Sequence, residues 1–113
     1  MTSVLLIRGG NGAFRSCRAE GHAGFAEADA DIVCSAVTVL LRTTMQTLAD
    51  SAGIRLEADT SARGTLFFSA CAEKPSPETD ARLVYAGDFL EHGLVSIAEE
   101  YPGNVELRIQ NGK

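Results

Sequence analysis

The stretch DIVCSAVTVLLRTTMQTL, residues 31–48, decides how this chain folds. Val33, Val37, Leu40, Leu41, Thr44 and Leu48 recur at steps of three and four, the spacing of one face of an α-helix. Asp31 stands where an N-cap side chain would accept a first-turn N–H, and Gly53 supplies the stop. A helix with one apolar stripe must lay that stripe on something, and the flanking segments read as strands.

Upstream, Val4 and Leu6 on one face and Leu5 and Ile7 on the other make a short apolar strand. Gly9-Gly10-Asn11-Gly12 then allows a tight reversal, because Gly and Asn tolerate positive φ. The returning arm, Ala13 to Glu20, alternates weakly, and Gly21-His22-Ala23-Gly24 ends it. Phe25 to Ala30 is small and acidic without periodicity and reads as a loop. Downstream, Ile54 to Ala58 and Thr65 to Cys71 flank the turn-forming cluster Asp59 to Gly64, a second hairpin. Pro75-Ser76-Pro77 breaks the sheet. Ser76 can cap a second helix with Pro77 at its first position and Glu78 and Asp80 near its positive end. Leu83, Leu90, Leu94, Ile97 and Tyr101 form the buried stripe of that helix, and Pro102-Gly103-Asn104 stops it. Val105, Leu107 and Ile109 alternate with Glu106, Arg108 and Gln110 as a last, half-exposed strand. The expected order is ββαββαβ, an α+β fold with a small sheet of about five strands and two amphipathic helices on one face. The other face then needs polar residues or a partner.

Composition bounds the function. With 113 residues, 45% of them hydrophobic and 22% charged, residues 1–113 read as a single domain with one core. The apolar runs are short compared with the ~20 residues of a bilayer-spanning helix, which argues against a membrane protein. The N-terminus lacks a basic region before Val4-Leu5-Leu6-Ile7, and Arg8 cuts the run, so a strand fits better than a secretion signal. A cytoplasmic location is expected. Three cysteines, an odd number, argue for free thiols in a reducing compartment rather than a disulfide framework. Ten basic against fifteen acidic residues give a net charge of -5, which disfavours nucleic acid and suits a basic protein or peptide partner.

Residues that bear chemistry concentrate between Gly21 and Leu40. With Asp31 as N-cap, Cys34 would be the third helical residue, where unpaired N–H groups and the helix dipole favour a thiolate and could also hold an oxyanion. His22 is the nearby side chain able to take and return a proton around neutral pH. Eleven residues lie between the two, enough for a loop to join them, but spacing alone leaves open a plain buried cysteine. Gly21 and Gly24 are either a strand-ending turn or small residues past which a peptide backbone slides close to His22. Cys17 and Cys71 sit in strand-like runs and read as packing, and His92 reads as a solvated helix residue. No C-x-x-C or other metal-ligand spacing occurs, so no metal is expected. Glycines 9, 10 and 12 lack a following Lys-Ser/Thr pair and precede a strand, which suits a turn rather than a phosphate loop.

Gly21-His22-Ala23-Gly24-Phe25-Ala26 followed by Asp31-Ile32-Val33-Cys34-Ser35-Ala36-Val37-Thr38 closely resembles the paired signature of the ribosomal-processing cysteine proteases, the Prp family. The resemblance implies small cytoplasmic homodimers that remove a short N-terminal extension from protein L-twenty-seven of the large ribosomal subunit, cutting in an apolar, Phe-containing stretch. It matches the family's nucleophile and base to Cys34 and His22 and its aspartate to Asp31. It assigns substrate contact to Gly21, Ala23, Gly24 and Ser35, and it calls for no cofactor. Asp29 stands where many relatives have a glycine, Ser35 for a frequent alanine and Thr38 for a common serine. Glu20, Glu27, Asp29 and Asp31, with no Lys or Arg among residues 20–31, read as a solvated stretch that could also steer a basic substrate. The rival expectation is a non-catalytic dimeric module that binds a ribosomal protein or an assembly intermediate.

Overall fold

The computed structural model describes residues 1–21, 28–62 and 64–112, with residues 28–31 described by their backbone alone. The elements are β1 (Thr2–Arg8), β2 (Phe14–Gly21), α1 (Ala28–Ala49), β3 (Ile54–Asp59), β4 (Thr65–Ala72), α2 (Pro77–Glu100) and β5 (Val105–Asn111). This is the expected ββαββαβ order. The five strands form one sheet in the order β3-β4-β2-β1-β5. β1 runs parallel to β5, and the other neighbouring pairs are antiparallel.

These directions make β2 parallel to β3 and β4 parallel to β5, so each helix is a crossover between parallel strands. β2 and β4 point opposite ways, and their crossovers also move opposite ways across the sheet. Right-handed connections of that kind put both helices on the same face. Cross-strand register shows that face layer by layer: Leu6 pairs with Cys17 and Cys17 with Phe68, while Val4 pairs with Ala19 and Ala19 with Leu66. Onto it α1 lays Val33, Val37, Leu41 and Leu48, and α2 lays Leu83, Leu90 and Leu94, all buried. The Phe14 and Phe68 rings stack with centroids 5.1 Å apart in this core. By length and composition Ile32–Ala49 could cross a membrane, contrary to the reading of the apolar runs. In this fold its apolar stripe covers the sheet instead.

The opposite face carries the alternate residues of each strand. Leu5, Ile7 and Phe67 are half-buried there among Arg18, Glu20, Arg55, Glu57, Glu106 and Arg108. Arg18 lies over the Phe67 ring, 5.3 Å from its centroid, so the polar option prevails on this face.

Turn chemistry behaves as read at two places. Gly12, at φ 89°, donates its N–H to the Gly9 carbonyl and closes the first hairpin. Ser76 caps α2 in a capping box: its Oγ accepts from Thr79 N–H, and Thr79 Oγ1 accepts from Ser76 N–H. Arg8, read only as the end of a strand, is more consequential. Its buried guanidinium donates to Asp88, Glu91, the Val84 carbonyl and the Gly12 carbonyl, pinning the hairpin to α2. Burial works against the charge, but the hydrogen bonds and charges of Asp88 and Glu91 outweigh it and raise the Arg8 pKa.

The start of α1 corrects the sequence reading. The helix begins at Ala28, so Ala28 to Ala30 are helix rather than loop, Asp31 is its fourth residue rather than its N-cap, and Cys34 is its seventh rather than its third. Ala28 and Ala30 are the best helix formers, and Asp29 and Asp31 are acids favoured by the dipole in a first turn. Together they carry the helix one turn past the point where periodicity stops.

Candidate active site

Three segments meet around Cys34. α1 presents its exposed side chain at the end of the sheet where β2 finishes. A Cβ placed on Gly21, the last residue of β2, would stand 3.5 Å from Cys34 Sγ, in ordinary van der Waals contact. The third segment is the turn between β3 and β4. Gly21 N–H donates to the Gly64 carbonyl at 2.8 Å, which ties the end of β2 to that turn. Gly64 is at φ 79°, and a Cβ there would come within 2.9 Å of the Gly21 carbonyl oxygen. Only glycine fits both demands.

The result is an open cleft of about 260 Å³ between α1 and the β3–β4 turn. Gly21, Cys34, Thr38, Arg42, Thr60 and Gly64 are among its lining residues, with Ala19, Val37 and Leu66 adding apolar surface. Thr38 Oγ1 donates to the Cys34 carbonyl at 2.7 Å, one turn along α1. Thr2 also reaches the cleft, and its Oγ1 lies 3.9 Å from the position a Gly21 Cβ would take.

Of the residues expected to act, Cys34 and Gly21 are brought together. His22, Ala23 and Gly24 lie outside the described residues, and Asp31 is described by its backbone in the first turn of α1. Ser35 lines a separate depression with Val39, Leu40 and Phe89, on the side of α1 away from the cleft. The oxyanion argument also changes. As the seventh helical residue, Cys34 has its own N–H within the i→i−4 ladder, and the N–H groups that lack an intrahelical partner lie a turn earlier, at the start of α1.

The three thiols differ sharply. Cys17 is buried in the core, and burial pushes its pKa up to about 12. Cys71 is exposed on the open face of the sheet, paired in register with Arg55. Cys34 alone of the three lines the cleft. Among the described residues no three His, Cys, Asp or Glu side chains cluster as metal ligands would. His92 is exposed on α2.

A protein-family model described as cysteine protease Prp matches residues 1–106. The chain belongs to the Prp family of cysteine proteases. As a Prp-family protein it is a thiol peptidase, which sets aside the non-catalytic binding module as its class. Solved structures agree on the fold. SMU.848 from Streptococcus mutans is 26% identical, with a TM-score of 0.73, covering 98% of this chain and 95% of that one. An essential ribosomal processing protease Prp from S. aureus in complex with a substrate peptide is 18% identical, with a TM-score of 0.79, covering 97% of this chain and 100% of that one. The S. aureus Prp with a covalently linked product peptide is 21% identical with a TM-score of 0.72, covering 97% of this chain and 100% of that one. No curated protein matches the chain.

Sequence reasoning missed the far wall of the Prp cleft. Thr60 and Gly64 looked like turn residues only, and nothing local says which strand end a turn will touch. Arg42 had a usable signal, since it stands eight residues after Cys34 and so on the same face of α1.

Proposed function

We propose that this Prp-family peptidase removes the N-terminal extension of large-subunit ribosomal protein L-twenty-seven, cutting in an apolar, Phe-containing stretch. One observation carries the proposal: Gly21, which is followed directly in the chain by His22, lines the same open cleft as Cys34, so near that a Cβ on it would stand 3.5 Å from Sγ. Consecutive Cα atoms are about 3.8 Å apart, so the proposal needs only the residue after Gly21 to turn its imidazole towards the thiol. In this mechanism His22 takes the thiol proton as Cys34 attacks the scissile carbonyl. The tetrahedral intermediate collapses, His22 protonates the leaving amine, and water then hydrolyses the thioester to the free acid and the resting thiol. Asp31 holds the imidazolium in orientation. The residues Gly21, Ala23 and Gly24 let the substrate backbone pass close by, and no cofactor takes part.

The cleft is open to solvent along α1, which suits an extended peptide laid along it. The chain's net charge of -5 favours encounter with a basic ribosomal protein. We place the enzyme in the cytoplasm, where L-twenty-seven is made, as a homodimer. The surface suited to the partner copy lies over the two helices, where Val39, Tyr85 and Phe89 are exposed at 64%, 74% and 52%.

The test is cleavage of a peptide spanning the extension of the same organism's L-twenty-seven. Cys34→Ala and His22→Ala each abolish cleavage, the double variant is no worse, and Cys34→Ala still binds the uncut peptide. A His22→Ala enzyme with near-normal turnover would remove the histidine from the mechanism.

A further inference from the structure

The Cys34 cleft is mostly neutral, with one exception. Arg42 lines it two helical turns beyond the thiol, on the face shared by Cys34 and Thr38. Among the described residues it is the only charged one lining the cleft, and it is exposed. Among the described residues no ion pair or hydrogen bond engages it, whereas Arg8, Arg18 and Arg55 all meet carboxylates. In a chain with fifteen acids against ten bases, a cation that meets no carboxylate among the described residues at a cleft wall is placed for an incoming one.

We propose that Arg42 determines substrate specificity by pairing with an acidic side chain of the bound peptide, three or four residues from the scissile bond. The register follows from geometry. Eight residues of α-helix advance about 12 Å from Cys34 to Arg42. An extended peptide lying along the cleft covers that distance in three to four residues at about 3.3 Å each. A planar guanidinium matches a carboxylate through two parallel N–H···O bonds, which a Gln amide cannot reproduce. The inference rests on the peptidase reading of Cys34 for its register, but the recognition itself is a binding property.

The experiment uses ten-residue peptides with an apolar, Phe-containing centre. A single Glu is moved from four residues before the scissile bond to four residues after it, and each peptide has a Gln control. At one position three or four residues out, the wild-type enzyme is expected to prefer Glu over Gln about fivefold in kcat/KM, the upper range for a solvent-exposed ion pair. The preference should lie in KM rather than kcat and shrink as salt is raised. In Arg42→Gln the Glu/Gln ratio should fall to about one, and Arg42→Lys should restore part of it. Equal handling of Glu and Gln at every position, or a preference that survives Arg42→Gln, overturns the proposal. A second arm measures binding of the same peptides to Cys34→Ala by fluorescence anisotropy. Should the wild-type enzyme cut none of the peptides while Glu peptides still bind more tightly through Arg42, the cleavage reading fails and the recognition stands. Without a Glu preference in either arm, the recognition fails.

Discussion

Replacing Gly64 by alanine should damage the chemistry far more than the fold. Holding a non-glycine residue at φ 79° costs about 1–2 kcal/mol, and the new Cβ would come within 2.9 Å of the Gly21 carbonyl oxygen. That oxygen cannot retreat freely, because the neighbouring Gly21 N–H is bonded to the Gly64 carbonyl. Alanine also narrows the unfolded ensemble, which returns about 0.4–1 kcal/mol. With about 1 kcal/mol more for the forced contact, the balance is a loss of about 2 kcal/mol, or roughly 8 °C in Tm for a chain of this size. Much of the strain is relieved by moving the end of β2, the segment that leads into His22. Misplacing a reacting group by about 1 Å costs on the order of 100-fold, so kcat/KM should fall between about 10- and 100-fold at 25 °C, where the protein is still folded. Gly103→Ala is the control: Gly103 has φ 89°, but a Cβ there meets nothing within 4 Å, and it lies outside the cleft. It should lose about 1 kcal/mol and keep its activity. Thermal melts and peptide cleavage measured on both variants decide the matter. Equal activities in the two would refute the coupling between the β3–β4 turn and the site.

Further predictions concern the thiols, the aspartate and the buried arginine. In the native protein iodoacetamide should label Cys34 and Cys71 and spare Cys17, as peptide mapping would show. Because burial raises the Cys17 pKa from 9.0 to about 12, the folded state holds its proton longer than the unfolded state. Its contribution is complete below pH 9 and is lost as pH rises towards 12, by up to roughly 4 kcal/mol. Chemical denaturation of Cys17→Ala over that range should therefore show a shallower pH slope than wild type. Asp31→Asn, in the first turn of α1, should cost only the ~0.3–1 kcal/mol of a favourable dipole charge yet lower kcat/KM more than about tenfold. Full activity in that variant would leave Asp31 as a helix-end charge and Cys34–His22 as an unassisted dyad. Arg8→Met should lower stability by about 2 kcal/mol in urea unfolding, less than the ~3–5 of a fully buried pair because Asp88 and Glu91 can rehydrate.

Periodicity, caps and turns are local, and they carried most of this fold. The steps of three and four from Val33 to Leu48 gave α1 its buried face, and Ser76 and Pro77 started α2 where the structure starts it. The alternation of Val105, Leu107 and Ile109 fits the half-exposed edge strand β5. The start of α1 was misjudged because Ala28 to Asp31 have helix-forming composition but no apolar stripe to reveal it.

The signature around His22 and Cys34 pointed to the family from sequence alone, since it consists of residue types at fixed spacing. Tertiary structure alone decided what surrounds the thiol. Gly64 lies thirty residues after Cys34 in the chain, yet its carbonyl holds the strand end that lines the cleft beside Cys34. Arg42 became a candidate for substrate recognition once α1 was seen to form a wall of the cleft. Such contacts depend on which edges a sheet brings together, and that is settled by the strand order β3-β4-β2-β1-β5 and the side on which the crossovers pack, not by the preferences of any single segment.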